Sequence, residues 1–509
     1  ALSTDVLRPL AADLGDDFLG APINIPGEPF GPLIASGNTG DGFNANVTGD
    51  DVAAALFLDT MADDNTGNGF NLNVVSSNGT SVAAILSSDV ILDVLNGMDV
   101  LPDPIYFNEI GWSSASGNGG NGVLLNQEGG DGAYAAVVGL VADDNAGGDG
   151  LHATLTSTNG DAYAILINTE AIGNLDDGID LNVDALGDAL TALVYPDVGF
   201  NNDDGVHIVQ NSATGDSLAL LAGGDAWMNG GVGFWYKLTA DNGNAAACIT
   251  DTYSQNNGGR GGHFVIDAGN DAALLVGDDA IIPFGLTFAS GLGAGLLETF
   301  DEVIPQGECN FSGNGSGGLQ ADLTSTAGDA WLAVDGATAN DNTFNGFNFS
   351  LNALSGGILS YVGQATANGN GSSGVNLALN GAGGTATTRF EYLETSGNGG
   401  NGISVDENYN GIVNVGGQYL VSQNNTGNGV RLVMSGLTVP VLDFGGGALG
   451  SLGQSSIFGN GNRDFRYNNG GGTTVMAENN WWGIAPPVNG QFAGSIDRNP
   501  WLTSDPNAP

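Results

Sequence analysis

Three residues that could bind a metal or exchange protons recur at nearly equal spacing along the chain. His152, Asp180 and His207 follow one another at a period of about 28 residues. Two imidazoles and a carboxylate held side by side would bind a transition metal or act as an acid–base pair. Small polar residues at the equivalent position elsewhere support a second interpretation, in which any polar side chain is accepted there. These residues are Asn44, Asn71, Gln320, Asn348 and Asn376.

A second series of chemically active residues is acidic. Asp149, Asp177 and Asp204 recur at the same period, and Asp176 and Asp203 precede the last two of them. Stacked carboxylates repel each other, and calcium, which prefers carboxylate and carbonyl oxygens, would relieve that repulsion. The alternative is an exposed corner in which Asp fits a turn, as Asn does at the equivalent positions. Those positions are Asn68, Asn121, Asn345, Asn401 and Asn428.

Both series follow a repeat that covers nearly the whole chain. A Gly followed by an apolar residue recurs at intervals that are mostly about 28 residues, and we call it the anchor glycine. Self-similarity at a fixed period is typical of solenoids and other repeat folds. The anchors are Gly42, Gly69, Gly97, Gly122, Gly150, Gly178, Gly205, Gly262, Gly318, Gly346, Gly374, Gly402 and Gly429.

The residues after each anchor alternate between apolar and polar, which predicts a strand. Apolar residues one, three and five places on should point inward, as in Phe70, Leu72 and Val74. A second apolar run follows in most repeats, and so short a repeat leaves no room for a crossover helix. We therefore predict an all-β chain, a right-handed parallel β-helix (solenoid) of about 14 or 15 turns. Further residues predicted to point inward are Ile179, Leu181, Phe347 and Phe349.

Asparagine four places before the anchor forms a third series. Stacked turns would bring these amides about 4.8 Å apart, the spacing at which identical Asn side chains form a hydrogen-bonded ladder. The anchor glycine is predicted to supply a positive φ at a sharp corner. The predicted ladder residues are Asn38, Asn65, Asn118, Asn174, Asn201, Asn314, Asn342, Asn370, Asn398 and Asn425.

The Asn-x-x-(Asn/Asp)-Gly-apolar repeat resembles that of secreted bacterial right-handed parallel β-helix proteins with a pectate-lyase-like architecture. Asn479-Asn-Trp-Trp-Gly483 and the Pro-rich tail after it resemble the closing segment of many such proteins. The resemblance implies the fold over residues 31–478 and a Trp-containing C-terminal cap over 479–509. Residues 1–30 are predicted to form an N-terminal cap or assembly arm, and 283–310 an irregular loop.

Composition excludes several functions. Eight Lys and Arg against 56 Asp and Glu give a net charge of −48, which repels phosphate backbones and anionic lipid headgroups. We therefore expect no nucleic-acid partner. No apolar run is long enough for a membrane helix, so no membrane insertion is expected. The acidic composition and the pair Ala1-Leu2, which suits signal-peptidase cleavage, indicate a secreted, extracellular or cell-surface protein.

Two features leave alternatives open. Cys248 and Cys309, the two cysteines, lie about two turns apart, so a disulfide requires the loop before Cys309 to fold back. The basic residues are scattered apart from Arg463 and Arg466, so no substrate clamp for a lyase or hydrolase is visible. We therefore expect no enzyme activity and no cofactor other than calcium.

The sequence favours an extracellular structural protein, a surface-layer or filament subunit that binds itself head to tail. One alternative is a cell-surface adhesin that binds an extracellular polysaccharide, for which exposed aromatic residues in a row would be the sign. A second alternative is a polysaccharide lyase or hydrolase. The aromatic residues to examine are Trp112, Trp227, Trp235 and Trp331.

Overall fold

A computed structural model describes residues 33–87, 112–277, 307–436, 438–469 and 472–507. The segment 1–30 and most of the predicted loop 283–310 lie outside these ranges. The described residues form two compact units. The first contains the described residues up to Asp203 together with Ala222–Gly224, and the second contains Asp204–Leu221 and the described residues after 224.

The first unit is a coil in which each turn contributes strands to three parallel sheets. Every strand pairs with the equivalent strand of the next turn, as Phe43 pairs with Phe70. The first sheet contains Phe43–Gly49, Phe70–Ser76, Val123–Gly129, Leu151–Ser157 and Ile179–Ala185. The second sheet contains Val52–Leu58, Thr80–Leu86, Gly132–Val138, Asp161–Ile167 and Ala189–Val194. The third contains Leu33–Ile34, Thr60–Met61, Ser113–Ser114, Leu140–Val141, Glu170–Ile172 and Asp197–Gly199.

The second unit is built in the same way. Its first sheet contains Val206–Ser212, Phe234–Ala240, Gly262–Ala268, Leu319–Ser325, Phe347–Ala353, Val375–Gly381, Ile403–Tyr409, Val430–Met434, Phe465–Asn469 and Phe492–Ala493. Its second contains Ser217–Ala222, Ala245–Thr250, Ala272–Gly277, Ala330–Asp335, Ile358–Gly363, Thr385–Glu391, Ile412–Gln418, Val441–Asp443, Val475–Met476 and Ile496–Asp497. Shorter strands are Asp225–Trp227, Tyr253–Gln255, Cys309–Asn310, Ala337–Thr338, Val421–Gln423 and Ser456–Phe458.

The all-β parallel solenoid prediction is confirmed, with about 14 turns of about 28 residues. The residues predicted to point inward are 0–1% exposed, because alternation along each first-sheet strand turns every second side chain into the coil. Among the described residues the helical content is one short 3-10 turn, Asn489–Gln491. None of those residues belongs to a helix with the length and hydropathy needed to cross a bilayer.

The asparagine ladder is present and is longer than predicted. At each step within a unit, an Asn side-chain oxygen accepts both the backbone N–H and the side-chain amide of the equivalent Asn, as Asn370 Oδ1 does from Asn342 at 3.0 Å each. The ladder satisfies buried donors at the same corner of every turn, so it stabilises the coil internally. Asn145, Asn229, Asn257 and Asn460 also belong to it.

The predicted reason for the anchor glycines was wrong. None of the described anchors has positive φ, and the left-handed residue is the one directly before each ladder Asn, such as Gly117, Asp341 or Asn424. The anchors are instead sites of close packing. A Cβ on Gly69 would lie 2.6 Å from the Gly122 carbonyl oxygen and 2.8 Å from that of Ala62.

One anchor assignment was also wrong, and another, Gly97, lies outside the described residues. Phe70 pairs directly with Val123, so the strands on either side of residues 88–111 are neighbours in the first sheet. The equivalent of an anchor near residue 262 is Gly261, since Gly262 itself occupies the first strand position and pairs with Phe234. Gly233, directly before Phe234, is a further anchor outside the predicted series.

The C-terminal segment both completes and covers the last turn. Trp482 is 1% exposed, and its ring centroid lies 4.8 Å from that of Phe492 and 6.4 Å from that of Phe465. Trp481 is only half-buried. Residues after the two tryptophans form strands of the sheets again, so the segment 479–507 is part of the coil as well as a cover for its last turn. The returning strands are Phe492–Ala493 and Ile496–Asp497.

The end of the predicted irregular loop is also part of the coil. Cys309–Asn310 is a strand that pairs with Ala337–Thr338 of the next turn. Cys309 and Asn310, the last two residues of the predicted loop, therefore belong to the coil. Residues 283–306 lie outside the described part of the chain.

Candidate functional sites

The first candidate site lies on the outward face of the first unit and contains His152. His152 and Asp180 are the second residues of two adjacent first-sheet strands and face each other in register. Asp149 lies at the preceding corner. These three side chains offer ligand atoms within 4.8 Å of one another. The repeat therefore places His152 beside Asp180, as predicted.

The hydrogen bonds of His152 define its charge. Its Nδ1 lies 3.1 Å from Asp149 Oδ2 and 2.8 Å from Asp180 Oδ2. Hydrogen bonds to Asp149 and then Asp180 raise the pKa of His152 to about 10, although burial opposes this. The imidazole is therefore a cation at neutral pH, and a protonated imidazole cannot act as a general base. His152 is therefore better described as an ion-paired histidine than as a catalytic base.

A pH-dependent contribution to stability follows from this geometry. Because the pKa of His152 is raised above its ordinary 6.5, the ion pairs stabilise the folded state fully below that pH. Their contribution is lost as the pH rises through about 10. We expect His152→Asn to cost about 1 kcal/mol at about pH 6 and nothing at about pH 11, measured by urea unfolding. A cost that is equal at both pH values would contradict the ion pairing.

The acidic corner next to this site has a structural role of its own. Asp149 Oδ1 accepts the backbone N–H of Asp177 at 3.0 Å, and the Asn121 oxygen accepts that of Asp149 at the same distance. Asp and Asn thus perform the same task at this corner. Asp149, Asp176 and Asp177 still place carboxylate oxygens within 4.8 Å of one another, a donor set that suits a hard cation.

Calcium binding at this corner stays a prediction. If calcium bridges these carboxylates, a chelator should lower the melting temperature of the wild type but not that of an Asp176→Asn/Asp177→Asn variant. Unchanged melting of the wild type at matched ionic strength would contradict it.

The remaining residues predicted to bind metal are placed as follows. Asp203 is exposed, and its backbone N–H donates to the Asp176 carbonyl at 3.2 Å. Asp204 and His207 belong to the second unit, where Asp204 Oδ1 accepts the backbone N–H of Val232 at 2.6 Å. His207 contributes to a different site, described next.

The second candidate site is a line of outward side chains on the first sheet of the second unit, which we call the outward column. Each member pairs in register with the next. Its first three members form a cluster of rings, unlike the small polar residues of the next four positions. The outward column consists of His207, Trp235, His263, Gln320, Asn348, Asn376, Ser404, Arg431 and Arg466.

Trp235 is the centre of this cluster. Its ring centroid lies 4.4 Å from that of His207 and 6.3 Å from that of His263, which meets it edge-on. The indole is half-buried, so it presents part of its surface to solvent. Lys237, two residues further along the same strand, is exposed and on the same face. The strand thus displays an aromatic surface beside a cationic group.

A carboxylate borders the cluster. Asp322 Oδ2 lies 3.5 Å from His263 Nε2 and accepts a hydrogen bond from Gln320 Nε2 at 2.7 Å. Burial raises the pKa of Asp322, but hydrogen bonds from His263 and Gln320 and the charge of Arg260 outweigh burial and lower it overall. Asp322 is therefore ionised at neutral pH and lies beside His263.

Two basic residues, Lys237 and Arg260, lie near this cluster together with its two histidines. Lys237, His207 and His263 lie on three neighbouring strands, with Arg260 at the adjacent corner. A signal is present in the sequence, because each column residue except Arg466 lies two places after a glycine. The repeat pattern does not reveal this signal, because Gly233 falls outside the regular spacing. In addition, taking Gly262 as the anchor predicts that His263 points inward.

The other tryptophans do not extend the cluster into a row. Trp112 is 46% exposed in the first unit. Trp227 ends a short strand of the third sheet. Trp331 lies on the second sheet with its indole nitrogen buried. Of the row of aromatic residues that would indicate an adhesin, the structure therefore shows only Trp235 with its two histidine neighbours among these four tryptophans.

The cysteines are separate from both sites. Cys248 and Cys309 are free thiols, and burial raises the pKa of each to about 12. The disulfide left open by the sequence is therefore absent from this structure. At such a pKa the thiols are protonated at neutral pH and behave as small apolar side chains.

No protein-family model and no curated protein matches the chain. Among solved structures, the A-module of a mannuronan C-5 epimerase from Azotobacter vinelandii is similar at 12% identity, with a TM-score of 0.28. The match covers 83% of this chain and 91% of that module. A likeness this distant carries no argument about activity.

Proposed function

We propose that the protein is an extracellular β-helix that binds a polysaccharide along the outward column, with Trp235 as its main contact. The observation that carries this proposal is the partly exposed indole of Trp235 between the rings of His207 and His263. Four of the nine members of the outward column are small polar residues that stack in register, so stacking alone does not require a cluster of rings.

The chemistry of the cluster suits a sugar. A sugar ring presents C–H groups that pack against an aromatic face and hydroxyl groups that need hydrogen-bond partners. Trp235 supplies the aromatic face, while Lys237 on the same strand and Gln320 two strands away supply donors and acceptors. The parallel strands hold these groups on a rigid surface, which reduces the entropy lost on binding.

We propose binding without chemical turnover. A hydrolase needs two carboxylates placed on either side of the scissile bond. Beside the ring cluster, the carboxylate of Asp322 accepts a hydrogen bond from Gln320 and lies 3.5 Å from His263 Nε2. His152, whose partners are also carboxylates, is protonated at neutral pH and cannot serve as a base.

Binding can be tested with Trp235→Ala and a matched control, Trp112→Ala, which removes an exposed tryptophan from the other unit. Affinity electrophoresis against a panel of neutral and acidic polysaccharides should show retardation of the wild type. We expect Trp235→Ala to weaken binding at least about tenfold, or about 1.4 kcal/mol, and Trp112→Ala to leave it unchanged. Absence of binding by the wild type, or an equal loss in both variants, would contradict the proposal.

A head-to-tail filament subunit is the second candidate function. The observation that favours it is the exposure of large apolar side chains in the first described turn. An open turn of a solenoid is a ready surface for another chain. Light scattering of the full chain across salt and calcium concentrations should show polymers, and a monomer throughout would contradict this function. The exposed residues are Leu33, Ile34, Val52, Leu56 and Leu58, each more than 50% exposed.

A further inference from the structure

The far end of the outward column carries arginines. Arg431 and Arg466 occupy the second positions of neighbouring strands and pair directly in register. Arg431 Nη1 lies 2.8 Å from both oxygens of Asp406 and 2.9 Å from Ser404 Oγ. Arg466 has a weaker partner, since its Nε lies 3.4 Å from Asn468 Oδ1.

This concentration of positive charge is unusual for the chain. The protein has eight Lys and Arg and a net charge of −48, yet Arg431 and Arg466 are neighbours and Arg463 is exposed at the adjoining corner. Strands about 4.8 Å apart hold Arg431 and Arg466 side by side, where like charges repel by up to about 1 kcal/mol even in water. Among the described residues, Arg431 forms an ion pair with Asp406, whereas Arg466 forms none. An anionic ligand would offset the charge of Arg466.

The column residues between the two ends are polar and uncharged, and the carboxylates of Asp322 and Asp406 lie beside them on the same face. From Trp235 to Arg431 there are six strand spacings, or about 29 Å at about 4.8 Å each. One face therefore presents an aromatic end with Lys237, an amide-lined middle and an arginine end. The residues of the middle are Gln320, Asn348, Asn376 and Ser404.

We infer that Arg431 and Arg466 form a second contact point for the same polymer, and that this polymer is a linear acidic polysaccharide long enough to reach about 29 Å from Trp235. The inference rests on the proposed function, because it takes Trp235 as the first contact. Guanidinium groups recognise carboxylate and sulfate groups through charge-assisted hydrogen bonds. The amides of the middle segment offer hydrogen bonds to hydroxyl groups along the way.

The test compares Arg431→Gln/Arg466→Gln with Arg389→Gln/Arg498→Gln. The control variant removes the same charge from residues outside the outward column. Ligands are long and short size fractions of an acidic polysaccharide, with a carboxylated and a sulfated version, and the carboxyl-reduced form of the long fraction. Binding is measured by calorimetry at low and high salt.

We expect the column variant to bind the long acidic fractions at least tenfold more weakly and with less dependence on salt. Its binding of short fractions should be unchanged, and the control variant should match the wild type. Comparing the affinities for the carboxylated and the sulfated polysaccharide identifies which anionic group is preferred. The inference is overturned if the column variant binds long fractions as the wild type does, or if it loses short fractions equally.

If the proposed function itself is wrong, the binding results will differ from those that reject only the second contact point. In that case Trp235→Ala would leave the binding of every fraction unchanged, or the wild type would bind none. Wild-type binding that depends on Trp235 but not on Arg431 and Arg466 would retain the proposed function and reject this inference alone.

Discussion

Replacing Asn342 by leucine is expected to lower the free energy of unfolding by about 3–5 kcal/mol. Asn342 Oδ1 accepts the backbone N–H of Asn314 at 2.9 Å and its side-chain amide at 3.2 Å, and Asn342 Nδ2 donates to Asn370 at 3.0 Å. All three asparagines are buried. Leucine has nearly the same volume but leaves the Asn314 backbone N–H without this acceptor, at about 1–3 kcal/mol, and removes two further bonds worth about 1 kcal/mol each.

The matched control is Asn348→Ala in the following strand of the same turn. Asn348 faces outward, and its side-chain oxygen accepts a hydrogen bond from Asn376 Nδ2 at 2.8 Å on the partly exposed surface. Water can replace that bond, so we expect a loss below about 1 kcal/mol. Urea unfolding followed by circular dichroism measures both. Equal losses in the two variants would show that the ladder contributes no more than a surface amide.

Gly69→Ala is expected to destabilise the first unit by about 3 kcal/mol. The added methyl group would meet the carbonyl oxygens of Gly122 and Ala62 and the ladder amide of Asn118 at 2.6–2.9 Å. Backbone atoms of two turns cannot move aside without breaking the sheet. Gly40→Ala is the control, because no atom lies within 4 Å of its Cβ position and its φ is not in the left-handed region.

Gly40→Ala should be neutral or slightly stabilising, since alanine loses less backbone entropy on folding than glycine. The two substitutions make the same chemical change in the same unit, about one repeat apart. Thermal unfolding compares them directly. A Gly69→Ala protein as stable as Gly40→Ala would mean that the anchors are not kept as glycine by close packing.

The candidate sites show how far a periodic sequence can be interpreted. His152 and Asp180 can be placed side by side because their spacing equals one turn and both follow clear anchors. The cluster around Trp235 obeys the same rule, yet the pattern does not reveal it. Its turn lacks a regular anchor motif, and a shift of one residue exchanges the inward and outward faces of a strand. The pattern therefore finds a site only where the register is right.

The protonation state of a side chain and its contact distances cannot be predicted from the spacing of residues along the sequence. The sequence is consistent with proton exchange at His152, but two carboxylates 3.1 and 2.8 Å from one nitrogen keep it protonated. Likewise, all eight basic residues are visible in the sequence without suggesting a clamp. Lys237 and Arg431 are far apart in sequence, and only the stacking of turns brings them to one face.

The sequence by itself determined the all-β solenoid, the turn length and the inward residues, because a fixed period with alternation inside each repeat is compatible with few other folds. It also identified most of the asparagine ladder. Only the tertiary structure decided why the anchors are glycine, which turns follow one another across residues 88–111, and where Trp235, His263 and Arg466 lie. Those properties depend on the register between turns, which backbone hydrogen bonds set across long sequence separations and which no local pattern encodes.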